Sequence, residues 1–145
     1  MLVGLLSKTP ESNMWSDKYY YLNIVPDLAL NSGHSTKDLT AFLCKQKELV
    51  QLSDFRFQNS PDYPIFMDIQ LLKANKYENW SEKDVSHETT NMIAVVCSKG
   101  DSGGYELAKE VLIGIAAYLG WRLIDEETDD GEENHLLWKP SSNSN

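Results

Sequence analysis

Residues 91–140 (NMIAVVCSKG DSGGYELAKE VLIGIAAYLG WRLIDEETDD GEENHLLWKP) decide how this chain folds. In order they read as strand, glycine-rich turn, helix, strand, acidic turn and strand. Met92 to Cys97 is a short apolar run with β-branched side chains, which suits a central strand. From Tyr105 to Leu119 the apolar side chains fall at Leu107, Ala108, Val111, Leu112, Ile115, Ala116 and Leu119, the spacing of a helix with one buried stripe. Lys109 and Glu110 fall outside the stripe, while Ile113 and Ala117 widen it. Asp101 or Ser102 can cap the start, and Gly120 fits the left-handed residue that ends a helix. Trp121 to Asp125 follows after that glycine and should return to the same sheet. His135 to Trp138 lies beyond an acidic turn containing Asp130-Gly131, so the two runs form a hairpin with a long tip.

The rest of the chain packs against this unit or extends its sheet. Leu2 to Ser7 is a first strand and Lys18 to Val25 a second, with Trp15 in the loop between them. Alternation in the second strand puts Tyr20, Leu22 and Ile24 on one face and Tyr19, Tyr21, Asn23 and Val25 on the other. Ser35-Thr36-Lys37-Asp38 has capping-box spacing and opens a helix running to about Gln51. Its apolar face is Leu39, Phe42, Leu43, Leu49 and Val50, interrupted by Gln46. Asp54 to Gln58 is a strand, Asn59 to Asp62 a turn, and Tyr63 to Leu72 a long strand. In that strand Ile65, Met67, Ile69 and Leu71 point inward. Phe66, Asp68, Gln70 and Leu72 take the opposite face, with Asp68 in solvent. Lys73 to Thr90 is a long polar connection with Trp80 tucked beneath it. The order β-β-α-β-β-β-α-β-β predicts an α+β fold: a mainly antiparallel sheet with two helices on one face. Residues 1–140 make a single domain, and 141–145 a polar tail.

The chain has 145 residues, with 22 acidic and 13 basic side chains and a net charge of −9. Residues 125–145 hold seven of the acids (Asp125, Glu126, Glu127, Asp129, Asp130, Glu132, Glu133) and one base, Lys139, so most of the excess charge sits in one hairpin. Such a balance disfavours a nucleic-acid partner, which requires a basic face, and suits a basic protein. No run approaches the ~20 apolar residues needed to span a bilayer, and Met1 to Leu6 is too short for a signal-peptide core. A cytoplasmic setting is therefore expected, with Cys44 and Cys97 as two buried thiols.

No motif supplies chemistry. Gly100-Asp101-Ser102-Gly103-Gly104 matches, letter for letter, the surroundings of the nucleophilic serine in chymotrypsin-like proteases. Here those residues open a helix, the chain is too short for two barrels, and no histidine stands in that family's context. The same glycines form neither Gly-x-x-x-x-Gly-Lys-Ser/Thr nor Gly-x-Gly-x-x-Gly. Gly131 at the sixth place of a calcium loop would put Leu137 where a bidentate glutamate is required. His34, His87 and His135 share no metal-ligand spacing. His87, with acidic neighbours, could act as a base, but no nucleophile accompanies it. The sequence thus predicts neither metal nor cofactor and no enzyme, with an unrecognised catalytic site at His87 or the turn at Gly100 as the least favoured alternative.

By size, acidity, aromatic content and absence of a catalytic motif, the chain resembles the small acidic bacterial immunity proteins that neutralise a cognate toxin. The resemblance is one of type and assigns no residue. It implies a non-catalytic inhibitor that meets a basic toxin or effector. The residues expected at that surface are Glu126, Glu127, Asp129, Asp130, Glu132 and Glu133, with Trp15, Tyr19, Tyr21 or Trp80 as anchors. From Ser35 onward the element order is also similar to that of small acidic type III secretion chaperones, which implies a client-binding homodimer. The N-terminal hairpin and the missing closing helix depart from that plan. A monomer or a homodimer fits the sequence equally.

Overall fold

The computed structural model describes residues 19–63, 65–81, 83–84, 88–99 and 104–141. The expected first strand, Trp15, His87 and the Gly100–Gly103 turn with its capping residues lie outside this set. The elements are β1 (Tyr19–Val25), β2 (His34–Ser35), α1 (Thr36–Cys44), β3 (Leu49–Ser53), β4 (Arg56–Asn59), β5 (Met67–Leu72), β6 (Thr89–Thr90), β7 (Met92–Ser98), α2 (Gly104–Leu119), β8 (Arg122–Glu127) and β9 (Glu133–Trp138). A seven-stranded sheet runs β3-β4-β5-β7-β1-β8-β9, and β2 pairs separately with β6. Every neighbouring pair is antiparallel. Because β7 and β8 both run opposite to β1, they are parallel to one another. With α2 they form a βαβ unit split by the earlier strand.

The alternating apolar positions explain why the sheet closes against helices on one side. Leu22 and Ile24, Met67, Ile69 and Leu71, Ile93 and Val95, and Leu123 join Leu39 and Leu43 of α1 and Ala108, Leu112, Ile115 and Ala116 of α2 in one buried cluster. Each large aliphatic side chain fully buried here contributes about 1.5–3 kcal/mol before chain entropy is subtracted. The expected α+β arrangement with both helices on one face is present. Gly120 ends α2 as anticipated: its φ is +73°, its N–H donates to Ala117 O at 3.2 Å, and Trp121 N–H donates to Ala116 O at 2.9 Å. That is the paired C-terminal hydrogen bonding of a Schellman motif. Ser35 caps α1, its Oγ accepting the Asp38 N–H at 3.2 Å.

Other expectations need correcting. Helix α1 stops at Cys44 rather than near Gln51, and Leu49–Ser53 is an edge strand. Gln46, which breaks the apolar stripe, is the terminator. Its N–H donates to Leu43 O at 3.0 Å and its side-chain amide to Phe42 O at 3.0 Å, tying off carbonyls that another turn would have used. Strand β5 starts at Met67, because Tyr63 closes a turn on Ser60. Leu107, assigned to the buried stripe of α2, is exposed, and Cys44 is an exposed thiol while Cys97 is buried. Asp68 is buried rather than solvated, since Arg56 of the adjacent strand holds it through two hydrogen bonds.

The second face of the sheet is also covered in part. Val25, Leu72, Met92, Ala94 and Ile124 form a smaller cluster there with Leu30, Ala74 and Tyr77, and Trp80 packs on it. The connection carrying Ala74 and Tyr77 is clipped to the sheet by Asn91, whose amide bonds both the N–H (2.8 Å) and the C=O (2.9 Å) of Ala74. Among the described residues, no helix is long and apolar enough to cross a membrane.

Candidate binding surface at the hairpin end of the sheet

Strands β8 and β9 carry the acidic run, and their alternation divides it. The expected long tip is short, because both strands extend to the Glu127–Glu133 pair. Thr128 N–H donates to Glu132 O (2.9 Å), Gly131 N–H to Thr128 O (2.9 Å), and Glu132 N–H to Thr128 Oγ1 (3.0 Å). Gly131 supplies the positive φ of 87° that this tight loop requires. These bonds fix the backbone from which the tip side chains project.

The carboxylates are not equivalent. Asp129 turns back onto the protein: Lys99 Nζ is 2.6 Å from its Oδ1, and Tyr20 Oη donates to its Oδ2 at 3.2 Å. The Lys99 hydrogen bond holds its carboxyl below the usual range. Glu132 lies 2.9 Å from His135 Nδ1. Glu126 points to the face away from the helices and accepts from Asn23 Nδ2 at 3.0 Å. Glu127, Asp130 and Glu133 are exposed. Glu127 and Glu133 stand directly opposite each other across the ladder, where like charges destabilise a sheet. Neither adjacency nor burial requires acids at those places.

Behind the tip, on the helix-covered face, lies Asp125, only 3% exposed. It pairs with Leu22 of β1 and His135 of β9, and its Oδ1 accepts the Glu127 N–H at 3.2 Å. Burial pushes its carboxyl up to about 6; the Asp129 charge adds to this, while the Glu127 N–H and His135 oppose it. Tyr20 and Tyr105 stack beside it with ring centres 4.2 Å apart, and Lys99 lies over the Tyr20 ring at 4.9 Å. Burial, with neighbouring negative charge, raises the Tyr20 phenol and the Cys97 thiol to about 12 each and the Tyr105 phenol higher still. At neutral pH these groups keep their protons, so the cluster presents no ready nucleophile. In this cluster burial brings the Asp125 carboxyl toward the neutral range.

The proposed aromatic anchors lie elsewhere. Tyr19 and Tyr21 project from the face opposite the helices, with the Tyr19 ring edge-on to Phe66 at 6.0 Å. Burial first, and then the Glu126 charge, raises the Tyr21 phenol, so those two side chains are neighbours. Trp80 is half-buried on the same face. The structure therefore joins Glu126 to the aromatic face and leaves Glu127, Asp130 and Glu133 at the tip and on the other side. Sequence reasoning missed the roles of Lys99, Tyr20 and Asn23. An asparagine inside the apolar run Leu22-Asn23-Ile24-Val25 was the available signal, since a polar residue at a buried strand position demands partners.

Among the described residues, no group of three or more His, Cys, Asp or Glu side chains is arranged to hold a metal ion. No protein-family model matches the chain, and comparison with curated proteins and with solved structures yields no match.

Proposed function

We propose that this chain is a non-catalytic binding protein of the inhibitor type. It meets a basic surface on another protein, a toxin or effector, through the tip of the β8–β9 hairpin. The observation that carries this reading is the Glu127–Glu133 pair, two exposed acids set face to face on a short, fully bonded hairpin beside Asp130. The arrangement costs fold stability, and a cationic partner would offset that cost. Steering by such a tip acts mainly on the association rate. The test is affinity capture from the source cells with the parent chain and with a Glu127→Gln/Asp130→Asn/Glu133→Gln variant on parallel resins. A basic protein retained by the parent and lost from the variant supports the reading. Retention of the same proteins by both would contradict it.

A further inference from the structure

Helix α2 is committed to the core by Ala108, Leu112, Ile115 and Ala116. A second line runs beside that stripe: Leu107, 43% exposed, half-buried Val111, exposed Gly114, and Tyr118, 40% exposed. The steps are four, three and four residues, the spacing by which one helix meets another along a seam. No charged residue interrupts the line. Gly114 is a gap in it, because a Cβ built there meets no atom within 4 Å. Glycine weakens a helix interior relative to alanine, and nothing described in the chain takes the space that it leaves. Tyr118 is held in place: its ring stacks on Phe42 with centres 4.0 Å apart, and its hydroxyl donates to Asp38 O at 3.5 Å. Those contacts use the hydroxyl and one ring face and leave the exposed remainder to a neighbour.

The line is complementary to itself when turned end for end. Two α2 helices placed antiparallel about the midpoint between Leu112 and Ile113 set Leu107 against the partner's Tyr118 and Val111 against the partner's Gly114, each twice by symmetry. A parallel pair would instead set glycine against glycine and leave a hole. It would also bring two acidic tips together, since Tyr105 at the start of α2 stacks on Tyr20, which bonds Asp129 of the tip. In the antiparallel pair the tips lie at opposite ends, separated by at least the length of the 16-residue helix, about 24 Å. The two helix dipoles then also oppose one another favourably.

We infer that α2 pairs antiparallel with α2 of a second copy of this chain, Val111 filling the space over the partner's Gly114. The inference stands apart from the basic-partner reading, and the dimer carries one acidic tip at each end. The seam is short, Glu110 flanks it in both copies, and each copy carries −9. The pairing is therefore weak at low salt and strengthens as salt screens the repulsion, the opposite of what salt does to a tip binding a cationic surface.

The test is sedimentation velocity on the full-length protein in about 0.5 M salt, from about 10 μM to about 1 mM. The parent should move from monomer to dimer across that range. Gly114→Glu should lower the association constant about tenfold or more while keeping the fold, since the site is open in the single chain. Val50→Glu makes the same change of charge at an exposed apolar side chain of β3 and should leave association unchanged. Orientation is read by mixing Leu107→Cys and Tyr118→Cys proteins, both also Cys44→Ser, under oxidising glutathione, where the mixed disulfide dimer should exceed either like pair. That crosslink decides the matter if Gly114→Glu fails to fold. A monomer at every concentration would overturn the inference. So would association unaffected by Gly114→Glu or lost on Val50→Glu, or a Leu107→Cys protein that crosslinks best to itself.

Discussion

The two faces of the sheet are built on different terms. The face under α1 and α2 is a continuous apolar layer, from Met67, Ile69 and Leu71 across Ile93, Val95, Leu22 and Ile24 to Leu123. The opposite face mixes a smaller apolar cluster with the Arg56–Asp68 ion pair, the amide of Asn23 and the carboxylate of Glu126. The first face is where folding free energy is concentrated. The second sets polar and charged groups among its apolar ones. Both edges of the described sheet are interrupted as well: β3 carries an irregularity between Gln51 and Ser53, and the β8–β9 register shifts between Leu123 and Ile124, while β9 holds Asn134 at φ +52°. Such irregularities discourage strand addition from outside.

The contrast can be broken most severely within one strand. Ile69 and Gln70 are adjacent in β5 and face opposite ways. Ile69→Ala should cost about 2–5 kcal/mol in urea unfolding, whereas Gln70→Ala should stay within about 0.5 kcal/mol. Equal costs would mean the two faces contribute alike. The next largest effect belongs to the ion pair. Asp68→Asn removes the carboxylate that Arg56 bonds through two hydrogen bonds and should cost about 1–3 kcal/mol, less than breaking a fully buried pair because Arg56 keeps some solvent access. Replacing both residues together, Arg56→Met with Asp68→Leu, should recover most of that loss.

Asp125 sharpens the comparison through pH. Its carboxyl rises from 3.8 to about 6 on folding. Between those values the folded chain binds more protons than the unfolded one, so stability falls as pH rises through that window and stays reduced above it. Asp125→Asn should therefore stabilise the protein at pH 7.5 by about 1–2 kcal/mol and give no gain below pH 3.5. Thermal melts at the two pH values check the sign. The smallest expected effect is at the tip: Glu133→Gln, relieving its repulsion with Glu127, should gain about 0.2–1 kcal/mol at low salt and less at high salt.

How much of this was legible beforehand depended on the range of the interaction. Helix α2, its glycine stop and the alternation of β1 and β5 follow from neighbours a few residues apart, and the sequence reading found them. The end of α1 was misplaced because Leu49 and Val50 continue a helical spacing, while the side-chain capping by Gln46 that ends it is visible only in three dimensions. The insertion of β1 between β7 and β8 is a non-local pairing that no local pattern announces. The charge of the candidate surface was plain from composition. Its division was not, since Asp129 is claimed by Lys99 and by Tyr20, 30 and 109 residues away, and Glu126 by Asn23, 103 residues away.

The most direct measurement is the association rate with the captured basic partner, by stopped flow, for the parent and the Glu127→Gln/Asp130→Asn/Glu133→Gln variant across ionic strength. At low salt the variant should associate about tenfold more slowly, and the two rates should converge as salt screens the tip. Equal rates at low salt, with both proteins folded, would contradict the claim that this hairpin guides the encounter.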